Sequence, residues 1–116
     1  MVDNDGNSLL CNACKNRDSE FIKVLLKNGA DANKKNKEGL TPLILYILSH
    51  AGDRTPIENL IKYGAKINEQ DNNGNTALHY ACIHNCPPSI INYLVRNGAD
   101  KNIKNNVGKE PMYYLE

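Results

Sequence analysis

Four cysteines and two of the histidines stand at spacings that bear on metal or redox chemistry: Cys11-x-x-Cys14, Cys82-x-x-x-Cys86, and His79 and His84 beside the second pair. Thiolate and imidazole are zinc ligands, and Cys-x-x-Cys is also the spacing of a redox dithiol. Either use requires the groups to converge on one point, with sulfur about 2.3 Å from a zinc ion. His79 is a candidate general base, but no constellation around it supplies a nucleophile, a base and an orienting group together. Gly108-Lys109 is followed by Glu110, so the hydroxyl of a phosphate-binding loop is missing. The Asn-rich stretches lack the acidic density of a calcium loop.

Whether the cysteine pairs can meet depends on the elements that carry them, and those elements repeat. Gly6, Gly39, Gly74 and Gly108 recur at a nearly constant step, as do Gly29-Ala30, Gly64-Ala65 and Gly98-Ala99, and Asn33, Asn68 and Asn102. Within each period the pattern predicts two helices. The first opens at Ser8-Leu9-Leu10, Thr41-Pro42-Leu43 or Thr76-Ala77-Leu78, with Thr41 and Thr76 as N-caps and Pro42 at the first helical position. The second carries apolar residues at i, i+3 and i+4 (Ile22, Leu25, Leu26; Ile57, Leu60, Ile61; Ile91, Leu94, Val95) and stops at a glycine. Polar stretches such as Asn68 to Gly74 read as exposed, hairpin-like loops.

A helix pair of this size cannot bury its apolar face alone, so the copies must stack, and about three are needed for stability. The expected organisation is one domain over 1–116, with repeats near 3–35, 36–70 and 71–104 and a partial copy over 105–116. The two cysteine pairs then lie two repeats apart, and neighbouring helices pack roughly 8–10 Å apart. One shared metal site is excluded, and free thiols are expected. With 41% hydrophobic residues, 23% charged residues and a net charge of +1, the chain should fold, and it lacks the basic excess of a nucleic-acid binder. No apolar run reaches the roughly 18 residues of a membrane span. No signal-peptide pattern precedes the repeats and no Asn-x-Ser/Thr acceptor is present, so an intracellular, cytoplasmic or nuclear location is expected.

These residues resemble the ankyrin repeat family. Gly74-Asn75-Thr76-Ala77-Leu78-His79-Tyr80-Ala81-Cys82 and Tyr93-Leu94-Val95-Arg96-Asn97-Gly98-Ala99-Asp100-Lys101-Asn102 carry the motif most fully, and the likeness covers nearly the whole chain. The resemblance implies an all-α solenoid of helix-turn-helix units, a structural role for His79 within its repeat and toward the neighbour, and a protein partner. Cys14 and Cys82 fall where the family uses small buried residues. Repeat two departs from the pattern, with Tyr46-Ile47 in place of two alanines and extra residues around Ser49-His50-Ala51-Gly52. Its first helix is therefore expected to be longer or displaced outward. Repeat three adds a residue near Asn85-Cys86-Pro87-Pro88. Abundant Asn, Lys and Ile together with such insertions are similar to poxvirus ankyrin proteins, though parasite and endosymbiont genomes share the same bias. Leu25 to Asn33 resembles the segment in which some ankyrin asparagines are hydroxylated; the competing reading is that Asn33 holds its loop by side-chain to backbone bonds.

By the same resemblance, partners dock on a concave face made of the loop tips and the outer side of the first helices. On that face fall Asn4, Asp5, Asn7, Lys15 and Asn16 in repeat one and Lys37, Glu38, Leu40, Leu48 and Ser49 in repeat two. Repeat three adds Asn72, Asn73, Asn75, Ile83 and His84. Leu40, Leu48 and Ile83 are the candidate apolar anchors, although Leu48 and Ile83 can equally pack beneath the insertions. Repeat one is expected to present a polar end, through Asn12 and Ser19, whereas Pro111-Met112-Tyr113-Tyr114-Leu115 leaves the last copy apolar and open to end-to-end self-association. The expectation is a cofactor-free, non-enzymatic protein-binding module; a structural spacer, or a piece of a longer ankyrin protein, is the alternative.

Overall fold

Polar residues start each first helix. Ser8, Thr41 and Thr76 accept from the backbone N–H of Cys11, Ile44 and His79, satisfying amides that the helix leaves without partners. The helices that follow are α1 (Leu9–Lys15), α3 (Pro42–Leu48) and α5 (Ala77–Ile83), each of seven residues. Each leads through a turn to a second helix: α2 (Ser19–Lys27), α4 (Thr55–Lys62) and α6 (Pro88–Arg96). A 3₁₀ turn, Pro111–Tyr114, stands where the next first helix would begin. The computed structural model describes residues 2–50 and 52–115. Among them there is no strand, and the architecture is an all-α solenoid.

The second helices end alike. In α4 the N–H of Gly64 reaches the carbonyl of Ile61 at 3.0 Å and that of Ala65 reaches Leu60 at 2.9 Å. Gly64 sits at φ 95°, the left-handed conformation this double bond requires. Their apolar stripe is buried, with Ile22, Ile57, Leu60 and Leu94 without accessible surface. One core runs the length of the stack from Leu10 to Ala99.

Two parallel ladders fix the spacing of the copies. At the loop tips, Lys37 N–H donates to Asp5 O, Asn72 N–H to Glu38 O and Asn106 N–H to Asn73 O, each at 3.0 Å. The approach is so close that a Cβ on Gly74 (φ 77°) would lie 2.7 Å from the Asn106 nitrogen. Each tip is folded by one side chain three residues before its glycine. Asp3, Asn36, Asp71 and Asn105 each accept, through Oδ1, two backbone N–H groups of their own tip. These tips carry turns and no strand pairing. The second ladder is made by Asn33, whose Nδ2 donates to Gly64 O at 2.9 Å while its Oδ1 accepts from Lys66 N at 2.8 Å, and by Asn68, which does the same with Gly98 and Asp100. Asn33 thus clasps the next repeat and does not merely shape its own loop.

Two expectations are corrected. The first helix of repeat two has the same seven residues as its neighbours, and the additional chain length is taken up in the turn, which runs over 49–54 against 16–18 and 84–87. Tyr46 stays 1% exposed because that enlarged turn supplies an acceptor for it: its hydroxyl donates to Asp53 O at 2.6 Å. The larger side chain and the longer turn are one adaptation. Ala51 of this turn lies outside the described residues. The end of repeat one is also less polar than expected, since Leu9 and Phe21 are exposed beside Asn12 and Ser19.

Candidate functional site

The cysteines belong to the core. Cys11, Cys14 and Cys82 are buried and Cys86 half-buried, all as free thiols. Burial, reinforced by the nearby Cys11, pushes the Cys14 thiol far up, and burial next to Cys86 raises Cys82 to about 11. At neutral pH both are protonated, the form that neither attacks nor ligates. Among the described residues no group of three or more His, Cys, Asp or Glu is placed to hold a metal ion.

His79 has both ring nitrogens committed. Nε2 lies 2.9 Å from Lys109 O, which only accepts, so Nε2 carries the proton and Nδ1 accepts from Thr76 N–H at 3.1 Å. With no surface exposed, the ring caps α5 and ties it to the next tip. This is the structural role implied by the family motif.

The residues assigned to the partner face separate into two groups. At the tips, Lys37 gives its backbone N–H to Asp5 and its ammonium to Asn4 O at 2.7 Å. Asn72 gives its amide to Lys37 O at 2.9 Å, Asn73 O accepts from Asn106 N, and Asn75 Oδ1 accepts from Asn105 Nδ2 at 2.8 Å. Their polar groups hold repeats together, although Lys37, Glu38, Asn72 and Asn73 keep exposed surface. Leu40 does not belong on this face. It is 8% exposed and part of the core, because it fills the lateral position that Asn7 and Asn75 occupy in the flanking tips.

The second group lies at the far ends of the first helices. Lys15, Leu48 and Ile83 are the last residues of α1, α3 and α5, and Leu48 and Ile83 are half-buried. A shallow groove between α1 and α3 is lined by Lys15, Leu45, Leu48 and Ser49, whose hydroxyl is turned inward to Tyr46 O at 2.5 Å. Beyond it, the His84 ring meets His50 edge-on, with centroids 5.0 Å apart, and stacks on Tyr80 at 6.4 Å. Desolvation and the adjacent His50 hold His84 below its ordinary pKa. Tyr80 in turn donates its hydroxyl to Asp71 Oδ2.

Sequence reasoning missed Leu45, His50 and Tyr80. The Tyr80/His84 spacing of i, i+4 was available as a signal. The meeting of His50 with His84 was not, since it depends on the enlarged turn of repeat two, where His50 takes φ 61°.

Stacked helix pairs joined by tip-to-tip backbone bonds and interlocking asparagines define a helical repeat protein. A family profile described as ankyrin repeats matches residues 10–105 in three copies. The chain belongs to the ankyrin repeat family. It is 37% identical over 95 residues to an ankyrin repeat protein of variola virus, covering 82% of this chain and 17% of that protein. It is also 37% identical over 112 residues to a putative ankyrin repeat protein of fowlpox virus, covering 94% and 32%. The neurogenic locus notch homolog protein 1 of Mus musculus is 32% identical over 115 residues, covering 97% of this chain and 4% of that protein. The chain therefore spans a third or less of the length of these relatives. Ankyrin repeats are in general modules of protein–protein interaction and non-enzymatic scaffolds, and no helix among the described residues is long and apolar enough to cross a membrane.

Proposed function

We propose that this ankyrin stack binds a protein partner, inside the cell, along the strip formed by the last turns of α1, α3 and α5 and the turns after them. Leu48 and Ile83 are its apolar anchors, Lys15, Ser49 and His84 its polar rim, and the exposed tips at Lys37, Glu38, Asn72 and Asn73 its outer border. The observation that carries the reading is the groove between α1 and α3, where Leu48 stays only half-buried while Leu43, Ile44, Leu45 and Ile47 of the same helix are buried. Leu40 is left out, because its substitution would report on folding.

The test is capture from extract of the source cell, comparing the native chain with a Leu48→Ala, Ile83→Ala variant whose helicity matches it by circular dichroism. A partner kept by the native chain and lost by the folded variant supports the strip; retention by both excludes it. A second reading is favoured by the exposed apolar residues at both ends of the stack, Leu9 and Phe21 at one and Tyr113 and Leu115 at the other. In that reading the repeats act by stacking end to end with further repeats.

A further inference from the structure

The chain has three histidines, and their rings are put to different uses. His79 spends both nitrogens inside the fold, one on Lys109 O and the other on Thr76. Among the described residues those are the only hydrogen bonds of a histidine ring, so the nitrogens of His50 and His84 are uncommitted. Both side chains are exposed, and they come from different repeats. Imidazole nitrogen is a ligand for zinc and for the other late first-row ions.

The separation of the two rings fits a shared ion. Zinc–nitrogen bonds are about 2.0–2.1 Å long and the ion is tetrahedral, which places the centroids of two imidazoles on one ion about 5 Å apart. The His50 and His84 centroids are 5.0 Å apart, with the ring planes at 90°. His84 is the fixed member. Its ring lies against Tyr80, with the planes within 20° of parallel, and Tyr80 is tied through its hydroxyl to Asp71. Support of a ligand by a further layer of contacts is how proteins orient the groups that hold a metal. His50 arrives from the enlarged turn of repeat two, and its exposed ring can turn a nitrogen toward His84 without disturbing the core.

Protons compete weakly for the site. Desolvation and the adjacent His50 hold His84 below its ordinary pKa, which keeps it at neutral pH in the form that ligates. Cys86, two residues further on, is raised by burial and stays a thiol. Among the described residues no third His, Cys, Asp or Glu joins the pair, so the other positions on an ion fall to water.

We infer that His50 and His84 together bind a divalent ion of the zinc class across the junction between repeats two and three, with water completing its coordination. Such an ion pins the enlarged turn of repeat two to the end of α5. The site adjoins the partner strip proposed above and does not depend on it.

Titration of zinc chloride into the whole chain at neutral pH tests it, followed by calorimetry and by NMR of the histidine rings. The expected result is one ion per chain, with the His50 and His84 ring signals shifting together. His79 should not respond, because its nitrogens are already taken. His50→Ala and His84→Ala each remove a ligand, so each should weaken binding by no less than the roughly tenfold that loss of an outer contact costs. Circular dichroism should find both variants folded, since both side chains are exposed. Cys86→Ser should bind as the native chain does. Binding lost in Cys86→Ser and kept in His50→Ala would assign the ion to the thiols and overturn the proposal. A His84 signal that shifts while His50 stays still, or no shift in either at a large excess of zinc, overturns it equally.

Discussion

The junction between repeats two and three differs from the junctions on either side of it in one lateral contact. At the outer junctions an asparagine amide crosses to an asparagine oxygen, Asn36 to Asn7 at 2.9 Å and Asn105 to Asn75 at 2.8 Å. At the middle junction those places hold Asp71 and Leu40, and neither side chain has an N–H to give. The second oxygen of Asp71 accepts instead from Tyr80 in its own repeat, and Leu40 is buried as a hydrophobe. Both the amide donor and the oxygen acceptor of the outer junctions are absent here. A tip residue that looks like an isolated apolar anchor is one half of a packing solution whose other half lies 31 positions further on.

The largest effect should come from removing the side chain on which the middle tip is folded. Asp71→Ala leaves the N–H groups of Asn73 and Asn75 and the Tyr80 hydroxyl without their acceptor in a site only 8% exposed. At about 1–2 kcal/mol for each stranded group, partly relieved by water, the expected loss is about 3 kcal/mol. Asp31→Ala, exposed and accepting only from Asn33 N, should lose less than about 1 kcal/mol. Urea unfolding midpoints measure both, and equal losses would deny that the middle tip is special.

The asparagine clasp behaves differently, because it is the same at the first and second junctions. Asn33→Ala and Asn68→Ala each remove one bond to a carbonyl and one from an N–H, so each should cost about 1–2 kcal/mol, with the two matching closely. Unequal losses would move the distinction between junctions from the tips to the clasp.

The regular parts of this structure were legible because they rest on local rules. Thr41 and Thr76 cap, Pro42 opens a helix, and Gly29, Gly64 and Gly98 close one, each within a few residues of chain. His79 was legible through its motif. What escaped depends on groups far apart in the chain. Leu40 was placed on the surface because its neighbour Asp71 cannot be seen from position 40. The first helix of repeat two was expected to be longer or displaced outward; it is no longer than its neighbours, and the acceptor at Asp53 that accommodates Tyr46 exists only once the turn has formed. Leu48 and Ile83, at the ends of short helices, were open to two readings, partner anchors or packing beneath the insertions, and they are half-buried.

A double-mutant cycle sharpens the tip comparison. Asp71→Asn creates an amide like that of Asn105, which donates to both Asn75 and Tyr114, but here one of its hydrogens faces Leu40. Leu40→Asn supplies the missing acceptor while giving up the burial of a leucine. Each single change is destabilising. The double variant should be more stable than the sum of the two losses by about 1 kcal/mol, the range found for residues sharing one contact. Strict additivity would mean that the two positions do not sense each other.

The middle junction carries a second contact that the others lack, on the opposite rim, and its signature is small and dependent on pH. Arg17 and Asn85 share the left-handed conformation of His50, but only His50 brings a ring to the next repeat, 5.0 Å from His84, with Tyr80 stacked behind. Desolvation first, and His50 second, lower the His84 pKa. A histidine with a folded pKa below its unfolded value binds protons more readily when unfolded. Its neutral form therefore costs nothing above the ordinary histidine range, near 6.5, and stability falls as the pH drops through that value toward the lowered one. Titration followed by NMR should find the His84 midpoint below that of an unstructured histidine, and His50→Ala should raise it only part of the way, because desolvation remains. The same substitution should flatten the acid limb of the stability curve. An unmoved midpoint would leave the His50–His84 contact without electrostatic weight and reduce the middle junction to its difference at Leu40 and Asp71.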